Sequence, residues 1–487
     1  MLGGAEYRTA RIRDALQLDV GENVRPADLP YCLHRLGGDS PFEVLVRLFG
    51  LGVPVPRDDA NRVFPPDLVD ALAEADVFSI KGDLVSAELG LTEADGLFFL
   101  HDRPPHDGRL RPDHVLGVVP SSLSLAAVTV PASDGRVWDM GTGCGVQAIL
   151  ASRNNAQVVA TDTNRRALDI TRMNAALNEV TNIEVREGSF FEPVAGETFD
   201  LIVTNPPFVI SPSQIFEYRD AGLPGDSASE RIIRALPDYL SEGGFACLVC
   251  NWVSPESGHW AESIGAWLEA SGCDALVLRH STRDALRYGY MWVRQTEGDD
   301  LDSWLDYYER LGITHITMGA VIMRKRSGAK SWLRLQDIPE GSIRPAGEYI
   351  RRLFRAEDFI AALPAEDALL NARLKAAPNH VIRQELRPDN DGDYAVTQMT
   401  IELLGGLGPN ATLDLPAMRM LSLSNGERTL REIVREIEGL AKVSTEEFTS
   451  GVIESARAML RGGFLIPEDH IDPENSEGKE VVYGAST

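Results

Sequence analysis

The chain has 487 residues, too many for one ordinary domain, so two or three are expected. At 44% apolar and 25% charged it has the bulk to bury a sizeable core. Its 73 acidic against 47 basic residues give a net charge of −26, a field that repels nucleic acid and lowers the case for an RNA or DNA substrate without removing it.

Residues 1–110 read as helices followed by a hairpin. The opening, MLGGAEYRTARIRDALQLD, has no apolar stretch behind a basic end, and no run of about 18 apolar residues follows anywhere. A cytoplasmic protein with no membrane partner is therefore expected. SPFEVLVRLFGLG carries Phe42, Leu45, Leu48 and Phe49 at helical spacing between an N-cap, Ser40, and a stop at Gly50. PPDLVDALAEADVF is a second amphipathic stretch, and VSAELGLTEADGLFFLHDR predicts two strands around a turn at Thr92–Asp95. Helices plus a hairpin suggest a winged-helix-like module for packing or substrate presentation. His101 and His106 fall in a Pro-rich stretch expected to be an exposed connection.

Residues 111–335 alternate strand and helix patterns. Strands are expected at RVWDMG, AQVVATD, NIEVREG, FDLIVTN, GFACLVC, DALVLRH and HITMGAVIMR. Helices between them predict an α/β, Rossmann-like, seven-stranded and mostly parallel sheet covered on both faces. Cys247 and Cys250 form a CxxC, but alternation along a strand sends residues three apart to opposite faces, so they are small core residues and no metal is expected. Residues 336–487 predict a second winged-helix-like region. SIRPAGEYIRRLF reads as a helix or connector, RTLREIVREIEGL as a helix opening after Asn425 and Gly426, and EEFTSGVIESARAMLRGGFLIP as a helix and short strand. From Pro467 the tail is acidic and polar, a composition that stays disordered.

Three motifs carry chemistry. In VWDMGTGCGVQAIL, a strand ending at Asp139 leads through Gly141, Gly143 and Gly145 into a helix; glycines turn tightly and let a ligand approach the backbone. Asp162 ends the next strand, where a carboxylate can accept both ribose hydroxyls of a nucleoside. NPPF at 205–208 follows the buried strand FDLIV, and open α/β sheets bind ligands at that carboxyl end. Two prolines stiffen the backbone and offer carbonyls rather than donors. A target NH2 can donate one hydrogen to Asn205 and the other to the Pro206 carbonyl, against the flat face of Phe208.

The ordered set VWDMGTGCG, TD, EGSFFEP and FDLIVTNPPF resembles class I amino-methyltransferases with an NPPF motif. The likeness is nearest to release-factor glutamine N5-methyltransferases of the HemK/PrmC type and to methyltransferase small domain proteins. RALDITRMNAALN (166–178) and FEYRDAGLPGDSASERII (216–233) extend it, over roughly residues 113–330. The resemblance implies S-adenosyl-L-methionine as cofactor, with Asp139, Gly141, Gly143 and Gly145 beside its methionine part. Asp162 would then hold the ribose, Ser189 and Phe190 the adenine, and Asn205, Pro206 and Phe208 the target, with Asn205 also bordering the cofactor. Two departures stand out: relatives commonly carry an acid at the place of Ser189, and the glutamine enzymes usually have tyrosine where Phe208 stands. The implied reaction is methylation of a planar nitrogen, first a protein glutamine such as that of a release factor. The alternative is a nucleobase amine, guanine N2 or adenine N6, in rRNA, tRNA or DNA. That alternative leans on residues 324–355, where nine Lys/Arg stand against three acids around Trp332.

Overall fold

The computed structural model describes residues 2–468 except 20–23, 104–109, 132–134, 155–156, 214, 221, 256–258, 295–299, 329, 339–343, 364–365, 389–390 and 443–444. His106 and the tail beyond 468 fall outside the described residues. The chain divides into two compact units at residue 342/343.

The first unit is built on an eight-stranded sheet. Its strands are β1 (Arg136–Met140), β2 (Gln157–Asp162), β3 (Ile183–Glu187), β4 (Phe199–Thr204), β5 (Leu240–Ser254), β6 (Asp274–Asp284), β7 (His315–Arg324) and β8 (Leu333–Asp337). They lie in the order β8-β6-β7-β5-β4-β1-β2-β3, parallel except for β7, which runs antiparallel to both β5 and β6. Flanking helices are α1 (Pro120–Val128), α2 (Val146–Ser152), α3 (Arg165–Leu177), α4 (Ser227–Tyr239), α5 (Glu262–Ser271), α6 (Ala285–Val293) and α7 (Leu301–Leu311). The α/β class and the seven strands expected from the sequence are present. The eighth, β8, was not anticipated: LRLQD alternates exposed and half-buried residues, as an edge strand does. The central strands are apolar runs because helices cover both faces. Trp138, Phe199, Ile202, Leu248 and Trp252 form one such layer with Ile232, Ile233 and Leu236 of α4. Cys247 and Cys250 are both buried in β5.

Residues 1–110 share a hydrophobic core with α2 and α3, in which Phe42, Leu45, Leu91 and Phe99 join Val146, Ile149, Ala167 and Ile170. The helix over 41–51 opens with a Ser40–Glu43 capping box, continues as a π-helical turn and stops at Gly52 (φ +70°) rather than Gly50. The predicted hairpin is Leu89–Ala94 paired with Leu97–Asp102, turning through Asp95 and Gly96, both at positive φ. A second hairpin, Phe78–Lys81 with Leu84–Ala87, belongs to a small three-stranded sheet. His101 is not in an exposed connection. It sits in the strand, with its ring packed between Gly90 and Gly117, where a Cβ on either would come within 2.6–2.7 Å of it.

The hairpin's outer edge is closed by two asparagines four apart, Asn174 on α3 and Asn178 at its C-cap. Asn174 accepts from Leu100 N (2.7 Å) and donates to Leu100 O (2.9 Å). Asn178 does the same for Phe98, at 2.8 and 2.7 Å. Asp102, buried at the strand's end, accepts from Arg166 of α3 and from Val115 N. Burial opposes its charge, yet the guanidinium prevails and holds its carboxyl below the usual range.

In the second unit SIRPAGEYIRRLF supplies the helix Gly347–Ala362. The RTLREIVREIEGL helix is Leu430–Ala441, opened by a Thr429–Glu432 capping box, because Asn425–Thr429 forms a strand instead of a helix start. That strand, Arg373–Ala376 and Leu465–Pro467 make a three-stranded sheet. An antiparallel sheet of His380–Pro388, Tyr394–Leu403 and Asn410–Leu413 had no counterpart in the sequence reading.

Candidate active site

The carboxyl ends of β1, β2 and β4 line up, with Met140 paired to both Thr161 and Thr204. There the strand order reverses direction, opening a cleft of about 730 Å³. Asp139, Gly141, Gly143, Asp162, Ser189, Phe190 and the 205–208 segment line it, whereas Gly145, expected beside the cofactor, does not.

The glycine loop is fixed from both sides. Gly141 N and Thr142 N donate to Thr161 O at 2.9 and 3.0 Å. Thr171 of α3 donates to Gly143 O (3.0 Å) and Asn174 to Cys144 O (2.8 Å). Gly141, Gly143 and Gly145 have φ of +72°, +56° and +85°, a region costly for any residue with a Cβ. A Cβ at 141 or 143 meets nothing within 4 Å, so those two present bare backbone to the cleft. At Gly145 it would come within 3.1 Å of Thr171, so that glycine serves helix packing.

Asp139 is 1% exposed, and its Oδ2 accepts from Thr142 Oγ1 (2.7 Å) and Ala148 N (3.0 Å), bracing the loop and the start of α2. Burial pushes its carboxyl up to about 7. An acid whose folded pKa is raised binds more protons folded than unfolded, so its contribution to stability falls as pH rises from about 4 to about 7. Asp139→Asn removes that loss. The variant's stability relative to wild type is expected to improve between pH 5 and pH 8, by at most about 3 kcal/mol, read from thermal unfolding. Parallel profiles would contradict the assignment.

Asp162 accepts from Gly143 N with Oδ2 and from Asn164 N with Oδ1, both at 2.9 Å, and burial raises its pKa as well. Gly188 N, just before Ser189, donates to Asp162 O (3.0 Å). Phe190 takes a positive φ of 47° and lies under the Arg231 guanidinium, 4.6 Å from the ring centre.

Asn205 follows β4, whose last residue, Thr204, donates to Met140 O (2.8 Å). Its Nδ2 donates to Ser121 Oγ at 3.1 Å and Ser122 Oγ at 3.4 Å, in the first turn of α1. Ser122 O in turn accepts from Gln147 Nε2 of α2 (2.7 Å). Phe208 packs at the border of an aromatic cluster made by α6 and α7, which contributes Tyr288, Trp304 and Tyr308. That cluster holds the segment beyond NPPF by its backbone: Ile210 N donates to Tyr288 Oη (3.3 Å), and Tyr308 Oη donates to Ile210 O (2.8 Å).

The return segment is closed by a buried ion pair, Arg219 with Asp220, each side chain 1% exposed. Asp220 also accepts from Ser211 Oγ, Ile215 N and Phe216 N. His114, buried in the wall of the cleft beside the Tyr218 ring, has its pKa lowered by burial. The two serines, the ion pair, His114 and the tyrosine clamp are absent from the sequence reading. Only Arg219 and Asp220 carried a signal, as part of the family-like 216–233 stretch.

Much of the positive charge in residues 324–355 is directed inward. Arg324 and Arg326 face the buried Asp274 at 2.7 and 3.2 Å, and Lys325 Nζ donates to Pro237 O and Leu240 O. Arg344 donates to Leu404 O and Arg352 to Gly463 O. Five of the nine basic residues thus have partners within the protein, while Lys330 and Arg344 stay exposed, so the segment's support for the nucleobase alternative is weakened. Among the described residues no helix is long and apolar enough to cross a membrane.

A sheet of this order, with one reversed strand and a glycine loop after β1, is the fold of class I methyltransferases. Residues 120–266 match the methyltransferase small domain family, and residues 4–88 match a domain of unknown function, DUF7059. The chain is 38% identical over 133 residues to a release factor glutamine methyltransferase of Xylella fastidiosa, covering 25% of this chain and 48% of that protein. It is 34% identical over 130 residues to a putative protein N5-glutamine methyltransferase of Methanocaldococcus jannaschii, covering 25% and 65%. A ribosomal protein uL3 glutamine methyltransferase of Bradyrhizobium diazoefficiens is 33% identical over 131 residues, covering 24% and 41%. The chain thus spans about half the length of the curated relatives it matches. These matches bear out the resemblance to glutamine methyltransferases drawn from the motifs.

Proposed function

We propose that the protein is an S-adenosylmethionine-dependent N-methyltransferase whose target is the side-chain amide of a glutamine in a protein, such as a release factor. One observation carries this reading: Asn205, Pro206 and Phe208 line the same cleft as the bare backbone of Gly141 and Gly143 and the carboxylate of Asp162. The names of the similar proteins, all acting on glutamine, supply the substrate class.

The residues fit the cofactor. Asp162 offers a carboxylate to ribose hydroxyls, and its two bonds to Gly143 N and Asn164 N hold it in place. Ser189 and Phe190 border the adenine end and Asp139, with Gly141 and Gly143, the methionine end. S-adenosylmethionine, when bound, supplies a methyl group already activated on a positively charged sulfur. The protein's part is position and exclusion of water. Asn205 Oδ1 and the Pro206 carbonyl accept the two amide hydrogens of the target, which turns the nitrogen lone pair out of conjugation, and Phe208 stacks on the amide plane. No strong base is needed, because the nitrogen sheds its proton once it becomes cationic.

Asp162→Ala is expected to weaken cofactor binding on the order of 10- to 100-fold, from loss of charge-assisted hydrogen bonds. Titration calorimetry with S-adenosylhomocysteine measures it, and unchanged affinity would place the ribose elsewhere. The activity itself is tested by incubating the protein with cofactor and purified release factor, then mapping methylated peptides by mass spectrometry. A single added methyl on a glutamine supports the reading; methyl groups on lysine or a terminal amine would overturn it.

A further inference from the structure

Asn205 needs more than its own position to act on an amide. A carboxamide turned by 180° fills almost the same space, so packing hardly distinguishes the two orientations, yet one presents an acceptor to the target and the other a donor. A donor facing the target NH2 could not hold it. Something must therefore fix which end of the Asn205 amide faces the cleft.

We propose that Ser121 and Ser122 are positioning residues for Asn205: their hydroxyl oxygens take both hydrogens of Nδ2, so that Oδ1 alone faces the target nitrogen. The inference rests on the functional reading above. Both contacts come from one helix turn, at 3.1 and 3.4 Å, and they span 84 and 83 residues of sequence. Nδ2 has two hydrogens and meets two acceptors, which leaves it none to spare. Ser122 is itself 8% exposed and anchored, since Gln147 Nε2 donates to its carbonyl. Gln147 lies in the first turn of α2, directly after the glycine loop, so the loop that borders the cofactor and the asparagine that borders the target are joined through Ser122. Hydroxyls can donate as well as accept, but with a target NH2 in place only this orientation leaves Oδ1 to accept one of the target's hydrogens.

The test compares wild type with Ser121→Ala, Ser122→Ala, the double variant and Ser121→Thr, which keeps the hydroxyl. Selective 15N-asparagine labelling, with Asn205→Ala to assign the Nδ2 pair, reports solvent exchange of those hydrogens whether or not a substrate is present. The double variant is expected to exchange at least about 10-fold faster than wild type, as two hydrogen bonds are lost. Its kcat on release factor is expected to fall on the order of 10- to 100-fold at unchanged cofactor KM, the cost of a misplaced group. Ser121→Thr should stay close to wild type in both readouts. Equal exchange in wild type and double variant, or unchanged kcat despite faster exchange, would overturn the inference. Absence of methyl transfer by the wild type would instead overturn the functional reading, leaving the exchange result to decide the amide's orientation.

Discussion

Asn205→Ala is expected to cut methyl transfer on the order of 10²- to 10³-fold, the loss typical of a single preorganised hydrogen-bonding group acting in the transition state. The substitution removes the side-chain acceptor but leaves the framework. Thr204 remains tied to Met140 O, the prolines keep their fixed backbone, and the loop from Gly141 to Gly145 does not depend on Asn205 for any bond. Cofactor affinity should therefore be retained, and the loss should fall on kcat more than on KM, the signature of an interaction made chiefly in the transition state. Steady-state kinetics at saturating cofactor measure this. Near-normal turnover would remove Asn205 from the reaction and leave Pro206 and Phe208 as binding groups only.

The second large effect concerns stability. Asp220→Ala is expected to destabilise the protein by about 3–5 kcal/mol, the usual cost of breaking a buried ion pair from one side. Arg219 donates to this carboxylate through Nε at 2.8 Å and Nη2 at 3.2 Å, in a setting where neither side chain meets water. The same carboxylate accepts the backbone N–H groups of Ile215 and Phe216, at 3.0 and 3.1 Å, so its removal also strips two donors. Because the segment returns along the cleft beside Phe208, weaker binding of the target should accompany the loss of stability. Denaturant unfolding gives the energy, and Asp220→Asn, which keeps the shape and one acceptor, should fall between. A loss below about 1 kcal/mol would mean that the segment is held by other contacts, such as Tyr288 and Tyr308 on Ile210.

The parts of this fold that could be read from the sequence are those written in short-range pattern. The central strands are apolar runs cut off by Asp139, Asp162 and Asn205, and the alternation with helices gave the sheet. β8 was hidden because LRLQD is an edge strand with polar residues on it, inside a stretch whose charges suggested a different use. The His380–Pro388 strand carries charged and polar residues on a largely exposed face, and in Tyr394–Leu403 only Met399, Ile401 and Leu403 alternate inward, a stripe too short to stand out. In the cleft, the glycine loop, Asp162 and NPPF stood out because each is a local spacing of unusual residues. Ser121 and Ser122 did not, since a serine pair after Pro120 looks like any helix start, and its meaning lies in an asparagine far along the chain. Tyr288 and Tyr308 were equally silent, because a hydroxyl aimed at a backbone 78 or 98 residues away leaves no periodic trace.

The central claim is that the cleft methylates a protein amide. Its most direct test is transfer of radiolabelled methyl from S-adenosylmethionine in a cell extract, separated into protein and nucleic-acid fractions, with Asn205→Ala as control. Label in the protein fraction that maps to glutamine and disappears in the variant is the predicted result. Label in RNA or DNA, equally dependent on Asn205, would contradict it and turn the same cleft toward a nucleobase amine.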